Sequence, residues 1–223
     1  FIYWAKVSEI VRKTVDENNG DILIFLPGEA EIKACIAELE ITPFSGLLQI
    51  YPLYGRLSKE EQERVFTPTL PGKCKVVVST NIAETSLTID GIRTVIDSGM
   101  AKVNFYNQRN FTSALLPLPI SKASADQRKG RAGRTAPGIC YRLYTETSYD
   151  VRPQYSEEEI LHSDLAEVVL RMSELEIYNT DSFPFITPPK KSAMKSAEET
   201  LLAINAIEKN HHLTSIGDMM IQF

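Results

Sequence analysis

The sequence predicts an α/β fold: a parallel β-sheet covered by helices, interrupted by one β-hairpin and followed by a small, mostly helical domain. Three observations predict it. Short runs that are apolar on both faces, DILIFL at Asp21–Leu26, Leu48–Leu53, KVVVST at Lys75–Thr80 and Ile92–Asp97, alternate with helical segments, as in a parallel sheet buried on both sides. The rhythm breaks at Lys102–Leu118, where VNFY, the polar Asn107-Gln108-Arg109-Asn110 and FTSALLPL read as a hairpin. Past Thr145 the composition changes, and Leu161, Leu165, Val168, Val169, Met172 and Leu175 fall on one face of an amphipathic helix. Two domains follow, 1–152 and 153–223.

In chain order, Trp4, Val7, Ile10, Val11 and Thr14 stand at helical spacing, and Asn18-Asn19-Gly20 ends that helix. Pro27-Gly28 turns the first strand into a helix running to about Glu40. Ser58 and Glu61 form a capping box that opens a helix to about Phe66, and Pro68–Gly72 is a loop. Ser124 and Gln127 have the same spacing, so a helix is expected to start near Ser124. Gly138 opens an apolar run, Ile139–Tyr144, that reads as a buried strand. In the second domain, Pro153 and Glu157-Glu158-Glu159 read as a linker or helix entry. Phe183-Pro184-Phe185 and Pro188-Pro189 form a loop. Ala197–Ile207 is a helix, and another starts after His211-His212-Leu213-Thr214.

A chain of 223 residues, 43% hydrophobic and 24% charged, has the composition of a soluble globular protein. No apolar run approaches membrane-spanning length, so no membrane partner is expected. Phe1 is not an initiator, and the chain reads as a piece of a longer protein. Cys35, Cys74 and Cys140 lack metal-ligand spacing and fit burial in a reducing compartment. His162, His211 and His212 also lack it, so no metal site is expected. Tyr51, Tyr54, Tyr141 and Tyr144 read as strand packing. A net charge of −5 does not suggest a nucleic-acid binder, but the charge is segregated: Ser121–Thr145 is basic and Glu157–Glu176 acidic.

The basic stretch carries the chemistry. Arg128, Lys129, Arg131 and Arg134 surround Gly130 and Gly133, with Asp126 the only acid. On a helix, Gln127, Arg131 and Arg134 stand four and three residues apart and share a face. Two guanidinium forks and an amide converging on one point suit a phosphoryl group, and such arginines hold the charge that builds during phosphoryl transfer. A solvated basic helix is the alternative, but such a helix gains nothing from two glycines between its charges.

Four segments resemble motifs of the DEAH-box (DExH) superfamily 2 helicases. QRKGRAGRTAPGICYRLYT is similar to motif VI, STNIAETSLTIDG at Ser79–Gly91 to motif V, FLPGEAEI at Phe25–Ile32 to motif IV, and LYGRLSKEEQERVF at Leu53–Phe66 to the block that follows it. YPLYGRLSKEEQ and ISKASADQR look most like the bacterial HrpA/HrpB-type branch. The resemblance implies a second RecA-like domain carrying an inserted hairpin that separates or steers strands, then a winged-helix domain. It implies that Gln127, Arg131 and Arg134 reach the γ-phosphate of ATP, the arginines acting as fingers. Thr88 and Asp90 would sit near the nucleotide, and Phe66 would stack on adenine unless it is core. Thr80, Asn81, Gly28 and Arg56 would hold the backbone of single-stranded RNA, with DNA an open alternative. The Ser79–Gly91 stretch follows a strand and is expected to carry its Ser, Thr and Asn side chains and the adjacent backbone into a loop at the carboxyl edge of the sheet, where open α/β folds bind ligands. ATP and Mg2+ would be held jointly with a first RecA-like domain preceding Phe1, because no G-x-x-x-x-G-K-[ST] loop or D-E-x-H box occurs in the chain. The piece alone is therefore expected to lack ATPase activity, and the parent protein to be cytoplasmic, or nuclear if eukaryotic. Two other readings stay open: a non-catalytic nucleic-acid-binding module, and a ribonucleoprotein remodeller that does not unwind duplexes.

Overall fold

The structure, a computed structural model, describes residues 3–85, 87–107, 112–156, 164–186 and 188–222. It divides into two compact units, Phe1–Pro153 and Gln154–Phe223. The first is built on a five-stranded parallel sheet in the order β2-β3-β1-β4-β7, where β1 is Asp21–Phe25, β2 Leu48–Leu53, β3 Cys74–Ser79, β4 Ile92–Asp97 and β7 Ile139–Arg142. This is the RecA-like sheet that the sequence leads one to expect.

Period-two alternation along β1 builds both layers. Ile22, Ile24 and Leu26 pack with α1 (Tyr3–Asp16) and α2 (Glu29–Glu40), which contribute Val7, Ile10, Val11, Ile32, Cys35 and Leu39. Leu23 and Phe25 point the other way, against Leu53, Val65, Val77, Ala83, Val95 and Ala132. Ile22, Leu23, Ile24 and Phe25 are at most 2% exposed, and each such side chain contributes roughly 1.5–3 kcal/mol by burial. Asp21 fixes the amino edge. Its carboxylate accepts from Lys75 N (2.9 Å) and the Thr69 hydroxyl (2.6 Å), and its own N–H donates to Gly91 O (3.0 Å).

The hairpin pairs β5 (Met100–Asn107) with β6 (Thr112–Pro119), antiparallel from Met100↔Pro119 to Asn107↔Thr112. Its polar turn includes residues 108–110, which lie outside the described residues. α3 is short, Lys59–Glu63, opened by the Ser58–Glu61 capping box and followed by a 3-10 turn at Arg64–Phe66.

Four expectations need correction. α4 spans Lys122–Gly130 and is capped by Ser121, whose hydroxyl accepts from Ser124 N (3.1 Å); Ser124 instead turns its hydroxyl inward to Glu84. β7 is an edge strand with Ile139 44% exposed, because only β4 pairs with it. α5 (Glu146–Asp150) follows β7; in the second unit, α6 (Asp164–Glu174) buries Ala166, Val169 and Leu170, while Leu175 falls beyond its end and is exposed. α7 (Lys191–Ala203) starts ahead of Ala197, and α8 (Ser215–Ile221) is capped by Thr214. Met194, Ala197, Leu201 and Met220 complete that core, and Ile207 bridges to Leu213.

Candidate functional site

The carboxyl ends of the strands are laced together by the backbone. Leu26 N donates to Ser79 O (2.8 Å), Thr80 N to Leu53 O (3.1 Å), Ser98 N to Phe25 O (3.1 Å) and Leu143 N to Asp97 O (2.8 Å). Gly28, Arg56, Thr80 and Asn81 follow the ends of β1, β2 and β3, so the topology brings all four to one edge. Thr80 is half-buried, whereas Asn81 and Arg56 are exposed. The Arg56 guanidinium lies 3.8 Å from Glu29, whose other carboxylate oxygen accepts from Lys33 (2.7 Å). Lys33, and then Arg56, hold the Glu29 carboxyl below its ordinary range.

Gly28 is buried, and its backbone is extended (φ −166°), which any residue can adopt. Space is what makes it a glycine: a Cβ there would stand 2.5 Å from Lys102 Nζ. Lys102, on β5, pairs with Glu31 at 3.4 Å. The structure thus sets a cation directly over Gly28. The sequence offers one late signal for this, a lone lysine entering the hairpin.

The Ser79–Gly91 stretch does not stay at the carboxyl edge. Ser79, Thr80 and Asn81 stand there, and Glu84 is tied through Arg128 to Asp97 at the same end of β4. The chain then runs back across the sheet to Gly91, whose carbonyl takes Asp21 N at the opposite edge. Those edges are separated by the length of a five-residue strand, about 16 Å. Thr88 and Asp90 are exposed on that return path.

Gln127, Gly130, Arg131 and Arg134 line an open cleft of about 270 Å3 with Glu84 and Thr85. The expected convergence is present, but a continuous helix is not its cause. α4 stops at Gly130, and the chain continues in tight turns: Arg131 N to Arg128 O (3.1 Å), Ala132 N to Lys129 O (3.1 Å), Gly133 N to Gly130 O (3.4 Å). Those bonds end at Gly133, and Arg134 follows in a bend; the two guanidinium groups are brought together by their partners on the facing stretch, Glu84, Leu87 and Thr88. A Cβ on Gly130 or Gly133 would meet nothing within 4 Å, so both glycines face open space. Gly138 differs: a Cβ there would stand 2.1 Å from Ala132 O and 2.6 Å from Arg93 O, so its glycine lets β7 pass beneath the turn.

Arg131 donates to the carbonyls of Leu87 (3.0 Å) and Glu84. Arg134 donates to the Thr88 hydroxyl (2.5 Å). Every acceptor is neutral, and each guanidinium has five N–H groups, so several donors remain. Among the described residues neither arginine forms an ion pair within 4.0 Å. Burial, and then the charge of Arg134, lower the Arg131 pKa, yet a guanidinium stays charged at any working pH. Phe66 is 46% exposed, which excludes the core alternative, with Val65 buried in its place. It does not line the cleft. Among the described residues no three His, Cys, Asp or Glu side chains group as metal ligands, and no helix is long and apolar enough to cross a membrane.

Arg128 is the residue that sequence reasoning misassigns. It reads as one of the basic cluster, yet it is fully buried. Its Nε donates to Glu84 Oε1 (2.7 Å), Nη1 to Asp97 Oδ1 (2.7 Å) and Nη2 to Met100 O (3.2 Å), with the guanidinium 4.8 Å from the Phe25 ring centre. A usable signal exists: Arg128 lies four residues from Ser124 and three from Ala125, the buried face of α4.

Residues 5–136 match the family described as the helicase conserved C-terminal domain. The chain is 48% identical over 219 residues to the ATP-dependent RNA helicase HrpA of Borreliella burgdorferi, covering 98% of this chain and 27% of that protein. Crystal structures of the E. coli DExH-box NTPase HrpB and the Escherichia coli DEAH/RHA helicase HrpB each align with TM-score 0.62 and 33% identity, over 94% of this chain and 26% of theirs. The chain spans about a quarter of the length of these relatives.

Proposed function

This chain belongs to the helicase conserved C-terminal domain family, in its DEAH-box, HrpA/HrpB-type branch, and from that premise we propose that it is the second RecA-like half of an ATP-dependent RNA helicase. The observation that carries the reading is the pair of arginines, Arg131 and Arg134, beside Gln127 on an open cleft with neutral partners only. Two unpaired guanidinium groups attract a terminal phosphate through charge-assisted hydrogen bonds. Their attraction grows as charge builds on the phosphoryl oxygens. Thr88 orients Arg134, and Gln127 offers an amide to the same space.

The phosphate loop and the Mg2+ ligands belong, in this proposal, to a preceding RecA-like domain that closes over the cleft. Mg2+ would supply charge neutralisation at the phosphates. At the carboxyl edge, Thr80, Asn81, Arg56 and the Gly28 turn hold single-stranded RNA by its backbone, which positions a strand without reading its sequence. The second unit corresponds to the winged-helix domain, and the parent protein is cytoplasmic.

The test compares the full-length protein with the 223-residue chain in a phosphate-release assay, with and without single-stranded RNA. The expected result is RNA-stimulated turnover by the full-length protein and none by the chain. Robust turnover by the chain alone would overturn the division of labour. RNA affinity unchanged by ATP in the full-length protein would favour a passive binding module.

A further inference from the structure

We propose that Arg128 is a positioning residue for Arg131 and acts on it through Glu84. The proposal rests on the reading of Arg131 as the phosphate-facing group.

Arg128 is 0% exposed and cannot touch a nucleotide itself. Its partners say what it holds. Glu84 is bound from both sides: its carboxylate accepts from Arg128 Nε and from the Ser124 hydroxyl, each at 2.7 Å, while its carbonyl accepts from Arg131 Nη2. Glu84 follows the single 3-10 turn Asn81–Ala83, on the return path described above, so neither a helix nor a strand fixes its place. The ion pair with Arg128 does. Leu87, three residues on, gives Arg131 its second carbonyl at 3.0 Å. The Glu84 and Leu87 carbonyls are therefore a seat for the Arg131 guanidinium, and Arg128 clamps the Glu84 side of that seat from inside the domain. The far end of the clamp is rigid: Nη1 is bound to Asp97 at the end of the interior strand β4, and that carboxylate also accepts from Gly99 N (2.8 Å). Nη2 reaches Met100 O, where the hairpin begins.

A buried ion pair is seldom retained for stability, since a well-packed apolar replacement is often as stable. Here it fixes geometry instead. Displacement of a reacting group by about 1 Å can cost about a hundredfold in rate.

Full-length protein carrying Arg128→Lys, Glu84→Gln, Arg131→Ala and the two pairwise combinations with Arg131→Ala would be assayed for ATP turnover. Arg128→Lys keeps the charge but cannot span Glu84, Asp97 and Met100 together. The expected result is kcat lowered about 10- to 100-fold, with KM for ATP changed less than about threefold. In the Arg131→Ala background the same substitutions should change kcat less than about twofold, because residues that act through one another do not add. An equal loss in both backgrounds would overturn the proposal and leave the cleft reading intact. Near-normal turnover in Arg131→Ala alone would overturn both. If Arg128→Lys fails to fold, as judged by thermal unfolding, Glu84→Gln reads the same cycle, and an unchanged kcat there overturns the proposal.

Discussion

Cations at the carboxyl edge of the sheet carry their own anions, whereas those in the cleft do not. Arg56 leans on Glu29 at 3.8 Å and Lys102 on Glu31 at 3.4 Å, both carboxylates from the first turn of α2. Arg131 and Arg134 meet only carbonyls and a hydroxyl. The difference bears on what each region can hold. A long ion pair with an exposed guanidinium, as at Arg56, contributes about 0–1 kcal/mol, so a passing phosphate displaces that carboxylate easily and is released as easily. That suits a strand that must be gripped and let go. In the cleft the one lining carboxylate, Glu84, is engaged by Arg128 and Ser124 and forms no ion pair with Arg131, so both guanidinium groups can turn to whatever enters.

The sharpest way to break this comparison is to remove the uncompensated charge. Arg131→Ala and Arg134→Ala in the full-length protein should each lower turnover by about a thousandfold or more, the range for arginine fingers. Arg134→Lys should recover little, since an ammonium cannot span Thr88 and a phosphate as a fork does. Steady-state phosphate release measures all three. Near-normal rates would make the cleft an ordinary surface notch.

How far the sequence reached this arrangement differs by region. Strands buried on both faces, such as Ile22–Phe25, leave continuous apolar runs that no helix or loop explains, so the sheet was legible. Gln127, Arg131 and Arg134 were legible as a group through their spacing. The reason for their convergence was not, because the helix ends at Gly130 and the partners that place the two arginines, Leu87, Thr88 and Glu84, lie 44, 46 and 47 positions away. Arg128 had a register signal for burial, but its partners were out of reach of local reading, because Glu84 and Asp97 are 44 and 31 positions away. Local composition gives an arginine among arginines the same reading whether it points in or out. The return path of Thr88 and Asp90 was legible in principle: β3 and β4 both run parallel to β1, so the stretch between them must cross from the carboxyl edge back to the amino edge.

At the edge the expected effects are smaller and of both signs. Arg56→Ala should weaken single-stranded RNA binding and flatten the slope of log affinity against log salt by about 0.7, one phosphate contact on a single strand. Glu29→Gln should do the reverse. It frees Arg56 from its carboxylate, and affinity should rise about two- to fivefold, the worth of an exposed ion pair. Fluorescence anisotropy over a salt series reads both. Weaker RNA binding by Glu29→Gln would mean that the carboxylates position the cations rather than neutralise them, and the contrast between edge and cleft would be lost.

The smallest effect decides what Gly28 does. The sequence assigns it to the RNA backbone directly, yet Lys102 Nζ occupies the space a Cβ would need. That obstacle is the tip of a flexible side chain, so Gly28→Ala should fold with stability changed by less than about 1 kcal/mol. What it must do is push Lys102 aside and break the pair with Glu31. If Lys102 is the group that meets the strand, Gly28→Ala should weaken RNA binding about as much as Lys102→Ala. It should then add nothing in the Lys102→Ala background, because both changes remove one contact. If Gly28 meets the strand with its own backbone, the two losses should add, since a methyl group at Gly28 would then obstruct the RNA whether or not the lysine is present.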